Sequence, residues 1–156
     1  MDVEKIIRTY IDKTIHMSVA TVSGDSPWVC ELHFVYDQDL NLYFRSLESR
    51  RHSQEIAINP KVAGNIVAQH VIDDDAHGIY FEGNAEKMID TNEIESIVPL
   101  FRSRLQREDD ILGEAQTVEG HKFYKVTVKT WYAFGKFDNN KADKYTLLWN
   151  GKKSAQ

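Results

Sequence analysis

Hydrophobic positions near the start of the chain repeat with a helical period. Val3, Ile6, Ile7, Tyr10 and Ile11 follow the i, i+3, i+4, i+7, i+8 rule, which predicts an amphipathic helix over about 2–13. The period then falls to two. Residues 15–22 are β-branched and roughly alternating, and the Ser, Gly, Asp and Pro of 23–27 make a turn. From 28 to 36, Trp28, Cys30, Leu32, Phe34 and Tyr36 occupy one face, with Glu31 and His33 on the other. A turn at 37–41 and a strand at 42–46 complete a β-meander.

A short helix is expected over 49–58. Asn59-Pro60 ends it, because the residue before proline avoids helical geometry. Strands follow at 61–69 and 79–89, joined by a loop at 70–78. Asp90 and Glu93 have capping-box spacing, and Ile94, Ile97, Val98, Phe101 and Leu105 form a helical apolar face. Pro99 within that face removes a backbone donor, so a kink or a split is expected. Residues 107–121 are charged and read as loop. A long strand covers 123–134, and the tail from Asn139 is polar apart from a possible strand at 145–149. With antiparallel meanders and no βαβ alternation, the reading is mainly β (α+β): six or seven antiparallel strands in a barrel with flanking helices. The 156 residues fit one domain.

Charge narrows the functional classes. The net charge of −5 does not suggest a nucleic-acid partner, which normally meets a basic face. No segment approaches the ~20 apolar residues of a membrane span, and the N-terminal pattern lacks the apolar run of a signal peptide. With Cys30 as its one cysteine, the chain forms no internal disulfide, which fits a reducing cytoplasm. Neither a Rossmann nor a P-loop glycine motif is present.

One stretch concentrates chemistry. A strand ends in Ser46, a short loop carries Ser49, Arg50, Arg51 and His52, and a helix starts there. Helix N-termini carry partial positive charge and unpaired N–H groups. Basic side chains are unfavourable at such a place unless an anion joins them, and arginine's planar fork suits phosphate oxygens. The charge pattern alone favours the plainer reading, a solvated basic turn.

Elsewhere the plain readings prevail. Cys30 reads as a small core hydrophobe, and His16 and His33 as structural histidines. Glu31 faces either solvent or a ligand. Asp73, Asp74 and Asp75 lack the glycine and distal glutamate of a calcium loop, and flanking His70 and His77 match no standard metal spacing. No catalytic residue and no metal site is singled out.

The order of these elements resembles the pyridoxamine 5'-phosphate oxidase-like FMN-binding split barrels, most closely a small bacterial branch. Tyr43-Phe-Arg-Ser46, Ser49-Arg-Arg-His52 and Asn59-Pro-Lys-Val62 carry the resemblance, with residues 78–86 similar to the next barrel strand. It covers residues 1 to about 137. It implies a split barrel, a homodimer and an FMN cofactor serving an oxidoreductase of unknown substrate and electron donor. The alternative on the same fold is a protein that merely holds flavin, haem or F420, with His33 or His70 serving a haem. The resemblance puts the FMN phosphate near Ser46, Ser49, Arg50, Arg51 and His52, and the isoalloxazine beside Cys30, Glu31, Leu32 and His33. Trp131, with Tyr132 and Phe134, reads first as core or dimer interface and second as an aromatic wall on the partner's flavin. Counted back from Asn59-Pro60, His52 stands where many members have lysine.

Overall fold

The computed structural model describes residues 1–137 and 141–150. Helix α1 (Val3–Ile11) is capped by Asp2, which accepts the Lys5 N–H. Strands β1 (His16–Ser23) and β2 (Ser26–His33) form the first hairpin. Then come β3 (Val35–Tyr36), β4 (Leu42–Ser46), α2 (Arg51–Ile58), β5 (Lys61–Ile66) and β6 (Gly78–Lys87). Helices α3 (Thr91–Leu105) and α4 (Ile111–Ala115) precede the 14-residue β7 (Lys122–Gly135) and then β8 (Asp143–Leu148).

All pairings are antiparallel, in the order β2-β1-β5-β6-β7-β4-β3, with β8 also on β7. Strand β7 bonds β4 with its first half and β8 with its second. The sheet curls into a half-barrel around Met17, Val19, Phe44, Phe81, Val126 and Trp131, plugged by Ile7, Tyr10 and Ile11 of α1. Strand β4 is buried on both faces. Leu42 and Phe44 enter this core, while Tyr43 joins Phe123, Phe101, Ile97 and Ile111 in a second one under α3 and α4.

The expected α+β antiparallel architecture is therefore the observed one, with eight strands among the described residues. One addition is β8, the tail strand. The other comes from the 28–36 run, which breaks at Phe34. There the backbone N–H donates to Ile15, and the carbonyl accepts from Arg104 Nε of α3. The same guanidinium donates to the Ile11 and Thr14 carbonyls and lies over the Phe34 and Tyr36 rings.

Two further expectations change. The charged 107–121 segment contains α4, capped by Asp110, which accepts the Gly113 N–H. Helix α3 is not split at Pro99. The proline sits on the exposed side, as does Glu95, whose carbonyl loses its helical N–H partner on the face open to solvent.

Between β6 and β7 the register shifts at Glu82/Gly83, leaving Lys129 as an extra residue. A Cβ at Gly83 would stand 2.2 Å from the Thr127 carbonyl oxygen, so the bulge needs glycine. The bulge also reverses which residues point inward: Val126 and Val128 before it, Trp131 and Ala133 after it. Trp131 is therefore fully buried in the core, as its first reading had it, and does not line an open wall.

Candidate functional site

The β4–α2 junction is where the sequence pointed. Arg50 is the N-cap of α2, with extended backbone angles and no side-chain capping hydrogen bond, and the first turn holds no acidic residue. The first amides of any helix lack intrahelical acceptors. Here they open beside Ser49 and Arg50, both exposed. The junction can bind an anion with backbone donors, one hydroxyl and one free guanidinium.

The other predicted residues are not all turned to that point. Arg51 Nε donates to Glu55 at 2.8 Å, and its guanidinium lies 4.5 Å from the centre of the Trp28 ring. Glu55 is buried, and its second oxygen accepts from Thr21. The Thr21 and Arg51 hydrogen bonds hold its carboxyl below the usual range. Arg51 thus anchors α2 to the first hairpin. Thr21, Trp28 and Glu55 were missed because only the folded sheet puts them together.

His52 is buried and shares a 2.7 Å hydrogen bond with Ser46. Burial first, then the charge of Arg50, lowers its pKa from the ordinary histidine value. Both effects favour the neutral ring over a cation in the free protein. The folded state disfavours its proton relative to the unfolded chain, whose histidines titrate near ~6.5. Its contribution to stability is present above that pH and is lost as pH falls towards the lower folded value. Urea midpoints at pH 7.5 and 5.5 should fall further for the wild type than for His52→Gln. Equal falls would mean that the ring is already charged or solvated.

The four β2 residues divide by strand alternation. Cys30 and Leu32 pack against the core, whereas Glu31 and His33 are exposed on the opposite face. Burial, then the Glu31 charge, pushes the Cys30 thiol up to about 11, so it remains a thiol. Glu31 accepts from Ser18, and the His33 ring meets His16 edge-on at 4.7 Å.

A cleft of about 410 Å³ runs from this strand to the α3–α4 segment. It is lined by Glu31, Leu32 and His33 on one side and Arg45, Arg107 and His121 on the other. In it Glu114 accepts from the His121 backbone N–H and Nδ1, both at 2.9 Å, and from Arg45. Burial opposes ionisation of Glu114, but the His121 hydrogen bonds and the Arg45 charge outweigh it and lower its pKa. With Nδ1 held by the carboxylate, His121 has Nε2 left for a hydrogen bond. Neither Arg45 nor His121 was selected from sequence, since the partners stand 69 and 7 residues from Glu114.

No family model matches the chain. Over 87 residues it is 28% identical to the UPF0306 protein plu4501 of Photorhabdus laumondii, spanning 54% of this chain and 59% of that protein. Three solved structures share the fold. A haem-binding protein from Mycobacterium smegmatis aligns with TM-score 0.70 and 15% identity over 89% of this chain and 55% of its own. A candidate pyridoxamine 5'-phosphate oxidase from Listeria innocua gives 0.64 and 19% over 85% and 98%. An FAD-binding protein from Mesorhizobium loti gives 0.62 and 16% over 85% and 93%. The chain has the split-barrel fold of pyridoxamine 5'-phosphate oxidase-like proteins, a fold shared by one protein named for haem binding and one named for FAD binding. Among the described residues, no helix is long and apolar enough to cross a membrane.

Proposed function

We propose that this protein is an FMN-binding flavoprotein and an FMN-dependent oxidoreductase that works as a cytoplasmic homodimer. The observation that carries the reading is the uncapped start of α2, with Ser49 and Arg50 exposed beside it. A phosphate there would accept from backbone N–H groups, from the Ser49 hydroxyl and from Arg50. The exposed face of β2 and the adjoining cleft would take the ring, with Glu31 and His33 at its edge and His121 across from them. When bound, the isoalloxazine supplies the electron transfer, and the protein supplies binding, orientation and access.

Dimerisation is supported by the edge and outer face of the sheet. Strand β2 is an edge with Trp28 and Val29 exposed. Beside it, Ala20, Val22, Pro27, Val62 and Ala63 line an apolar hollow. A two-fold partner would cover edge and hollow with one self-complementary surface.

Titrating flavin-free protein with FMN tests this reading. Flavin fluorescence should be quenched to an endpoint of one FMN per protomer, and the complex should sediment at about twice 18.0 kDa. No saturation by about 1 mM FMN would overturn the flavin reading. A haem spectrum in the protein as purified would replace FMN with haem, and a strict monomer would overturn the homodimer.

A further inference from the structure

We propose that His70, His77 and Tyr10 form a proton-sensitive clasp that ties the β5–β6 loop to α1 at neutral pH and releases it on mild acidification. The inference is independent of the flavin reading. The loop over 67–77 folds back on itself so that the two imidazoles stack, with ring centres 3.6 Å apart and planes 14° from parallel. His70 Nδ1 lies 2.9 Å from the Ala68 carbonyl oxygen, which can only accept, so Nδ1 carries the proton. Nε2 of the neutral ring is then bare, and it accepts the His77 backbone N–H at 3.3 Å. Tyr10 is buried in α1 and accepts the Ala68 backbone N–H at 3.0 Å. Its hydroxyl lies 2.5 Å from His77 Nδ1; with the Tyr10 oxygen already accepting that amide, we assign its own proton to the bond with a bare Nδ1.

Two of these bonds, at His70 Nε2 and at His77 Nδ1, require neutral rings. A proton on His70 Nε2 sets donor against donor at the His77 amide. A proton on His77 Nδ1 meets the Tyr10 hydroxyl and ends its donation. Two protonated rings would repel face to face. Burial, then the nearby His70, lowers the His77 pKa, while burial raises that of Tyr10 and keeps its donor proton in place.

The surrounding charges do not cancel this design. Lys13, just beyond α1, lies 5.6 Å from the centre of the Tyr10 ring and also disfavours a charged His77. Asp74 favours it, but its carboxylate accepts the Val71 N–H at 2.9 Å. Asp75 is paired with Lys136 just beyond β7, Asp73 is exposed, and Tyr80 of β6 acts on Tyr10. Closure holds Val71 and Ile72 out in water at the loop tip, 64% and 92% exposed. Opening frees that apolar tip from its fixed position.

The closed loop loses ground to the open one as pH falls below the ordinary histidine value near ~6.5. Amide exchange at Ala68 and His77 reads this directly when expressed as protection against the intrinsic rate at each pH. Between pH 7.5 and 5.5, protection at both amides should fall about tenfold for one coupled proton, and further for two. Amides in β1 should change little. His77→Gln and the double variant with His70→Gln should flatten the pH dependence. NMR titration of the wild-type rings needs no variant and should place His77 below ~6.5. Protection that stays constant with pH in the wild type, or a His77 that titrates at or above the ordinary value, would overturn the clasp.

Discussion

Arg50→Ala should weaken FMN about tenfold to 100-fold and leave riboflavin nearly unchanged. A charge-assisted hydrogen bond to phosphate is worth about 1.5–3 kcal/mol, which sets that range. Arg50 can make such a bond without breaking another, because it is exposed and makes no capping hydrogen bond in α2. Arg51 is placed differently. Its Nε is engaged by Glu55 and its guanidinium lies over Trp28. Arg51→Ala should therefore show mainly as a lower melting temperature, because it leaves the buried Glu55 with Thr21 alone. Fluorescence titrations with both flavins, and melts without flavin, separate the two roles. If the two flavins weaken equally in Arg50→Ala, the phosphate is not at the start of α2. If Arg51→Ala melts like the wild type while losing FMN selectively, the ion pair gives way when the phosphate arrives.

The different fates of these neighbouring arginines show what the sequence could not carry. The period-two runs and the Asn59-Pro60 stop locate most of the meander, because strand alternation and proline geometry are local. The order of motifs located the β4–α2 junction for the same reason. What decides each side chain's role there is non-local. Arg51 is held by Glu55 one helical turn on, but Glu55 is buried only because Thr21 of β1 meets it. His52 was expected beside the phosphate, where many members have lysine, and is instead a ring enclosed with Ser46. The cleft is less legible still. Its carboxylate sits in a segment whose charge suggested loop, where only the Asp110–Gly113 cap and the apolar Ile111 betray a helical turn.

Trp131→Ala should cost about 3–5 kcal/mol, a large part of a typical domain's ~5–15. Its indole is fully buried against Phe81, with ring centres 5.7 Å apart, and its place is set by a bulge encoded 48 residues earlier at Gly83. Trp131→Phe is the more informative change. The indole Nε1 is buried with no hydrogen-bond partner among the described residues, and an unsatisfied buried donor costs about 1–3 kcal/mol. Phenylalanine removes that donor while keeping a ring against Phe81. The relief offsets most of the volume lost, so the variant should lie within about 1 kcal/mol of wild type, far from the alanine value. Urea unfolding of the three proteins at one pH decides this through their midpoints, provided the slopes agree. A phenylalanine variant destabilised by about 3 kcal/mol or more would show that Nε1 is satisfied, with an ordered water as its partner, and that Trp131 holds a polar link through the core as well as filling it.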